Sequence, residues 1–440
     1  MKKKSLLLAV FSFAIMLLAA ISVPAETYGD FTYSVENGQA VITGLTDPAN
    51  VKEAVVPSEI NGIPVKTIEV SAFAKNGVLE KISIPSSVNR IGSGAFFRCE
   101  KLESVVIPED VTVIELSAFA RCTSLRSVQF SSKTTEIKGQ AFYCCTSLES
   151  VAFPDTIKII GEGAFRKCDG LTEVAIPSSV ETVGIGAFEN CANLTSFTLR
   201  GDGTIIEGGT LYNTPWFADQ PDGLVYLGKN LYGYKGVCPA KVELEPEIIC
   251  IAGTAFAGAD TLEEIVIPSS VRFIGYRAFM NCSGLKTVTV PESVITLGTY
   301  AFEMCTGLES ITVKSEKTAI GECAIEKTKN LTIIGKRNSP AKEYAEQYGI
   351  NFEEILIKLV YGDANGDEKI TSSDIVRLKK YFAAFDPDSN VSSVDLYDGA
   401  DANGDGKISS TDIVRLKKFF SAFDPDTDSS PVVLGPVPKS

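Results

Sequence analysis

Leucines recur every 23 residues at Leu79, Leu102, Leu125, Leu148, Leu171 and Leu194, and again at Leu262, Leu285, Leu308 and Leu331. The unit reads L-x-x-V-x-I-P-x-x-V-x-x-I-G-x-x-A-F-x-x-C-x-x and is clearest at 79–101 and 171–193. A fixed period of this size implies a solenoid, in which each coil buries its apolar face only against its neighbours. Within a coil, Ile82 and Ile84 alternate as a short strand that Pro85 ends. Val88 and Ile91 form a second extended piece, and Gly92 permits a turn. Ala95-Phe96 then plants an aromatic ring in the core of the coil.

The cysteines follow this period. Of 11 in the chain, Cys99, Cys122, Cys145, Cys168, Cys191, Cys282 and Cys305 each sit three residues after a repeat Phe. They are expected to stack as a buried, reduced ladder of small apolar side chains. Coils about 5 Å apart leave disulfide pairing open by distance, and an odd total leaves at least one thiol unpaired. Histidine is absent, which removes Ser-His-Asp and Cys-His catalysis and every His-ligated metal site. Two-carboxylate glycosidase chemistry survives that exclusion. A net charge of −14 argues against nucleic acid as a partner.

The chain opens with Lys2, Lys3 and Lys4, an apolar run from Leu6 to Ile21, and Val23-Pro24-Ala25 at a cleavage position. This reads as a signal peptide over 1–25, too short for a membrane span of roughly 20 residues. The protein is therefore expected to be secreted, with no membrane span after cleavage. Residues 26–50 read as an N-terminal capping hairpin turning at Asn37-Gly38. The repeat array runs over 51–355, with a helix-like stretch at Ala341–Tyr348 near its end. An island at 217–238 interrupts the period between degenerate units at 194–216 and 239–261. In it, Leu224–Leu227 and Leu231–Tyr234 flank Gly228-Lys229-Asn230 as a hairpin.

The A-F-x-x-C and I-P-x-x-V-x-x-I-G pattern resembles the BspA-like class of bacterial leucine-rich repeats. The resemblance implies a leucine-rich-repeat solenoid of short β-strands and turns. Its first strand points two columns outward: Lys81, Ser104, Ser127, Ser150, Glu173, Ser196, Glu264, Thr287, Ser310, and Ser83, Val106, Gln129, Ala152, Ala175, Thr198, Val266, Thr289, Thr312. These side chains are small and lack aromatics, which makes that face a weak candidate for tight binding. Aromatics concentrate instead around the island, where Tyr212, Trp216, Phe217, Tyr226, Tyr232 and Tyr234 form a candidate ligand patch for a protein or glycan. Packing of the hairpin onto the solenoid is the alternative role for these rings.

The C-terminus carries a near-duplication. Residues 363–388 and 401–426 differ only at 368, 371, 373, 381 and 383 and their counterparts. Each copy is a calcium loop followed by a helix. Asp363, Asn365 and Asp367 supply oxygens at loop positions 1, 3 and 5. Lys369 supplies a backbone carbonyl, Thr371 sits at position 9, and Asp374 closes the loop at position 12. The second loop repeats this with Asp401, Asn403, Asp405, Lys407, Ser409 and Asp412. Two Ca²⁺ ions are the expected cofactors. Position 12 is Asp where EF-hands carry Glu, position 6 of the first loop is Glu368, and Ile355–Tyr361 reads as a strand where an entering helix would stand.

These tandem half EF-hands resemble type I dockerin domains over 359–426, with a flexible tail at 427–440. The resemblance implies a small α-helical calcium-binding domain that docks onto a cohesin module of a scaffoldin. It carries recognition to Ser372, Ser373, Lys379 and Lys380, and to Ser410, Thr411, Lys417 and Lys418. Ile375, Leu378 and Phe382 recur at helical spacing and should face the core.

The whole reads as a secreted, non-catalytic binding or adhesion protein on a cell-surface or released cellulosome-type complex involved in polysaccharide degradation. One alternative is a dockerin-borne polysaccharide hydrolase, for which the island offers only Asp219 and Asp222 as acids. The other is a free-standing surface adhesin.

Overall fold

The computed structural model describes residues 26–325, 331–355, 371–383, 385–386, 391–392, 400, 402 and 409–421. The expected signal peptide and C-terminal tail lie outside the described residues. The chain forms two units, 1–353 and 354–440.

The first unit is a β-solenoid in which three hydrogen-bonded ladders join each coil to the next. First strands pair in parallel, as Lys81–Ser83 does with Glu53–Val55 and Ser127–Gln129 does with Ser104–Val106. Second strands form a parallel sheet of Val113–Ile114, Glu136–Ile137, Ile159–Ile160, Thr182–Val183 and Ile205–Ile206. The third ladder runs through the Ala-Phe turn. Gly94, Phe96 and Arg98 donate their N–H groups to the carbonyls of Leu116, Ala118 and Ala120 at 2.9, 2.8 and 2.8 Å. Residues before Ala-Phe and two after Phe take the left-handed conformation, as at Ser117 (φ 54°), Arg121 (φ 64°), Gln140 (φ 55°) and Lys167 (φ 61°). For a non-glycine residue that costs roughly 1–2 kcal/mol, and the inter-coil bonds on either side offset it. Gly92 follows the second strand because a Cβ there would lie 2.6 Å from the backbone nitrogen of Val70 in the preceding coil.

The core is built of columns. Leu79, Leu102, Leu125, Leu148, Leu171 and Leu194 are fully buried, as are Phe96, Phe119, Phe142, Phe165 and Phe188. From Phe73 to Phe188 the rings stack at 5.1–5.4 Å between centroids, and the stack resumes from Phe256 through Phe279 to Phe302 at 5.2 and 4.9 Å.

The ladder cysteines are buried and free, as the repeat implied, but they are more than small apolar filler. Each thiol donates to the carbonyl of the Phe one coil back: Cys99 to Phe73 (3.1 Å), Cys122 to Phe96 (3.1 Å), Cys145 to Phe119 (3.2 Å) and Cys305 to Phe279 (3.0 Å). Each of these carbonyls already accepts a backbone N–H within its own coil, such as Asn76 to Phe73 at 3.1 Å and Cys99 to Phe96 at 3.1 Å, so the S–H is a second donor that ties the thiol to the preceding coil. Burial pushes the Cys99 thiol up to about 12 and the Cys122 thiol well above its ordinary value.

One expected strand does not form. Ser150–Phe153 makes no backbone hydrogen bond to either neighbouring coil, so the first-strand sheet stops at Ser127–Gln129 and restarts at Glu173–Ile176. The sheet also breaks between Glu264–Val266 and Thr287–Val290, where Ile267 and Val290 hold the Ile position of I-P, but here two bulky residues replace it. Phe130 and Phe153 stand there, stacked 6.0 Å apart and each edge-on to a ladder ring, Phe142 or Phe165.

The ends are covered. Phe31–Glu36 and Gln39–Leu45 form an antiparallel hairpin through Asn37 (φ 51°) and Gly38 (φ 73°), and its second strand pairs in parallel with Ile63–Ile68. Around the island lies a single short helix, α1 (Pro215–Ala218), capped by Thr214. At the far end, Thr332–Gly335 pairs with Ser310–Val313, and α2 (Pro340–Tyr348) buries Ala341, Tyr344 and Ala345. The Tyr344 hydroxyl bonds the Ile325 carbonyl at 3.1 Å, which fixes α2 over the last coil. Exposed strand edges invite pairing with other chains, and these two elements protect them.

Two predictions follow from the columns. Native protein at pH 8 should give up only Cys144 and Cys323, the half-exposed thiols, to a thiol reagent. All 11 should react in guanidinium; thiols still blocked there would reveal disulfides. Phe188→Ala should destabilise the array by about 3–5 kcal/mol, and an unchanged denaturation midpoint would show that Phe188 carries no core load.

Candidate functional site

In the C-terminal unit, helices α3 (Ser372–Ala383) and α4 (Ser410–Ser421) repeat one another in detail. The Thr371 N–H donates to Asp374 Oδ2 at 2.7 Å, and the Ser409 N–H donates to Asp412 Oδ2 at 2.7 Å. The Thr371 and Ser409 hydroxyls in turn accept the N–H groups of Ser373 and Thr411, both at 3.2 Å. These are reciprocal capping boxes with Asp at the third helical position. Both aspartates are fully buried.

A buried carboxylate requires strong compensation. At these positions it is a hard oxygen donor, and both loops offer oxygen donors only, which fits Ca²⁺. The remaining loop ligands expected from the sequence, Asp363, Asn365, Asp367, Lys369, Asp401, Asn403, Asp405 and Lys407, lie outside the described residues.

The recognition positions share one character. Ser372, Ser373, Lys379, Lys380, Ser410, Thr411, Lys417 and Lys418 are all exposed. Leu378 and Leu416 are buried with Ala400 and Ala402, and Ile375, Ile413 and Phe420 pack against them. The side chain of Phe382 lies outside the described residues. Sequence reasoning overlooked Val376 and Val414, which are 49% and 50% exposed. They lie one helical turn beyond the Ser/Thr pair and one turn before the lysine pair, so each helix presents hydroxyl, apolar and basic groups in a row. Their repetition at one helix position was the available signal.

The aromatic island is built differently. Gly223–Leu227 and Asn230–Lys235 form the expected hairpin, with a bulge between Val225 and Tyr226. Its second strand also enters the solenoid, pairing in parallel with Cys250–Ile251. Tyr232 is buried and belongs to the core. Its hydroxyl accepts the Leu211 N–H at 2.7 Å, and Trp216 and Phe217 pack edge-on against its ring at 5.8 and 5.5 Å. Tyr234 packs against Phe256 at 6.2 Å, and Tyr226 accepts the Glu245 N–H at 3.3 Å. Tyr212 alone of the six is largely exposed, at 55%.

Asn230 joins the hairpin to the coil before it. Fully buried, it accepts the Ile206 N–H at 3.1 Å and donates to the carbonyls of Thr204 and Leu227 at 2.9 and 3.0 Å. Beside this junction is a cleft of about 290 Å³ lined by Ile185, Ile205, Phe273 and Tyr276, with Glu207 at its edge. Burial raises the Glu207 carboxyl above its ordinary value and nearby Glu162 adds to this, opposed by the Ile185 N–H at 3.1 Å.

Residues 58–166, 91–216 and 228–342 match the BspA type leucine-rich repeat region, in six copies. The chain belongs to the BspA-type leucine-rich repeat family. Residues 361–421 match the type I dockerin domain, a class that binds calcium and docks onto cohesin. A leucine-rich repeat protein from Bacteroides ovatus is 22% identical, with 75% of this chain and 99% of that one covered at a TM-score of 0.40. A leucine rich cell surface protein from Faecalibacterium prausnitzii is 24% identical, with 75% and 94% covered at 0.38. The pneumococcal vaccine antigen PcpA is 16% identical, with 75% and 98% covered at 0.35. No curated protein matches the chain. Among the described residues, no helix is long and apolar enough to cross a membrane.

Replacing Asn230 with Leu would strand one buried N–H and two carbonyls. It should destabilise the array by about 3 kcal/mol and split its unfolding transition, because two core clusters meet at this strand. A single transition at the wild-type midpoint would show that the amide bonds are dispensable.

Proposed function

We propose that the protein is a secreted, non-catalytic binding protein whose dockerin holds two Ca²⁺ ions and docks the repeat array onto a cohesin module of a cellulosome-type, polysaccharide-degrading complex. One observation carries this reading. The two C-terminal helices present the same exposed Ser/Thr, Val and Lys-Lys series, each with a buried Asp directly after the Ser/Thr pair, where the sequence reading places the last calcium ligand. The first ion would be held by Asp363, Asn365, Asp367, Lys369, Thr371 and Asp374, and the second by Asp401, Asn403, Asp405, Lys407, Ser409 and Asp412. Only Asp, Asn, Ser/Thr and backbone oxygens take part, as Ca²⁺ requires.

The contact surface is then Ser372, Ser373, Lys379 and Lys380 in one orientation, or Ser410, Thr411, Lys417 and Lys418 in the other. Near-identity of the halves makes both orientations available. The array is the module so delivered, and its matching repeats supply a scaffold with no catalytic constellation.

Titration calorimetry against a cohesin panel tests the reading. Charged bulky residues at Ser372-Ser373 alone, or at Ser410-Thr411 alone, should weaken binding by about a factor of two, since one of two equivalent modes costs RT ln 2, about 0.4 kcal/mol. Changing both pairs should abolish it, and so should a chelator, which leaves the loop carboxylates to repel one another. Full loss from one pair would refute two orientations. Unchanged affinity in chelator would refute the calcium assignment.

A further inference from the structure

The first-strand sheet is interrupted at several coils, and at one of them Phe130 and Phe153 stand at the Ile of I-P. Beside the opening lies a cleft of about 370 Å³ lined by Ser150, Phe153, Glu173, Ser196, Thr198 and Arg200. Along one wall, the backbone N–H and C=O groups of Ser150–Phe153 have no protein partner among the described residues. Backbone groups in a sheet are otherwise almost always paired, so an extended segment with both rows free presents alternating donors and acceptors to whatever enters.

The width of the opening restricts what that is. On the other two sides the same coils stay closed. Glu136–Ile137, Ile159–Ile160 and Thr182–Val183 remain paired, and Phe142, Phe165 and Phe188 stack at 5.1 and 5.2 Å. An inserted peptide strand would need about 4.8 Å of extra separation in the hydrogen-bonding direction, which those two ladders forbid. Single oxygen atoms that donate and accept can reach into the wedge where a strand cannot. Charge narrows the class further. Glu173 and Arg200 flank the cleft with opposite signs, both are exposed, and neither has an ion-pair partner among the described residues. A net anion would meet Glu173 and a net cation Arg200, whereas hydroxyls serve both. The half-buried Phe153 ring adds an apolar surface for the C–H face of a pyranose.

We infer that this cleft is a saccharide site, in which the hydroxyls of a neutral sugar bridge the free backbone groups of Ser150–Phe153 to Arg200 and Glu173 over the Phe153 ring. The inference rests on the array being a binding module, and it needs no docking through the dockerin.

The experiment applies full-length protein to an array of neutral, acidic and amino oligosaccharides with short peptides as a counter-set. Affinity for the retained sugar is then measured for wild type, Arg200→Ala and the double variant Phe130→Ile/Phe153→Ile. The double variant restores the repeat residue at both positions. It should close the sheet, hold or raise the melting temperature, and lose saccharide affinity at least tenfold. Arg200→Ala, a change at an exposed side chain, should lose a similar factor with the fold intact. A neutral sugar bound by wild type and lost in both variants supports the site. Absence of any saccharide binding, retention by the closed variant, or selective capture of peptides overturns it. Cohesin affinity measured on the same variants should equal wild type, so that failure of this site and failure of the docking assignment are read separately.

Discussion

Everything in the array depends on one spacing, the roughly 5 Å between successive coils, enforced at three places around each turn by backbone hydrogen bonds. A coil that satisfies all three ladders has little freedom left. This explains side chains that would otherwise look arbitrary. Gly92 is needed because the preceding backbone leaves no room for a Cβ. Arg98, Arg121 and Lys167 accept a left-handed backbone so that the neighbouring Phe can donate to the next coil. The cysteine column adds a second donor to the Phe carbonyl one coil back, which already closes the turn within its own coil. Lateral ion pairs such as Lys133–Asp110 at 2.8 Å also cross a coil boundary, but exposed pairs of this kind follow the spacing and contribute little to fixing it.

Much of this was legible in the sequence because a solenoid writes its geometry as a period. The leucine column, the two extended pieces, the Ala-Phe turn and the island hairpin all follow from counting residues. The sulfur–carbonyl bonds were not legible, because Cys reads equally well as a small apolar side chain and only the position of the Phe carbonyl one coil back decides. The lost strand at Ser150–Phe153 was missed for a related reason. Phe130 and Phe153 preserve the apolar pattern, and nothing in that pattern tells that they pack edge-on to Phe142 and Phe165 where the strand pairing is lost. Asn230 looked like a turn residue. Its role as a bridge exists because the hairpin strand enters the second-strand sheet, which no local pattern announces. In the C-terminal unit the exposed Ser/Thr and Lys pairs were readable from duplication, while the capping bonds of Asp374 and Asp412 were not read, and Val376 and Val414 passed as ordinary helix apolar positions.

The two units differ in what holds them together, and this bears on how each can serve recognition. The array buries continuous columns, so its stability is the sum of many neighbour contacts, and a local departure from the repeat can be absorbed. That tolerance is what allows an interrupted sheet or an inserted hairpin strand to persist within the array. Among the described residues, the C-terminal unit shows no such column. Its described core is Leu378, Ala400, Ala402 and Leu416 with a few half-buried neighbours, and it places two carboxylates inside. Each carboxylate accepts a backbone N–H, from Thr371 or Ser409, and an ion held by the loop would add to that compensation. Type I dockerins bind calcium, and ion binding couples to the folding of the loops that supply the ligands. A repeat array held by neighbour contacts and a calcium-binding dockerin rest on different interactions, so removing calcium is expected to act on the second and to leave the buried columns of the first unchanged.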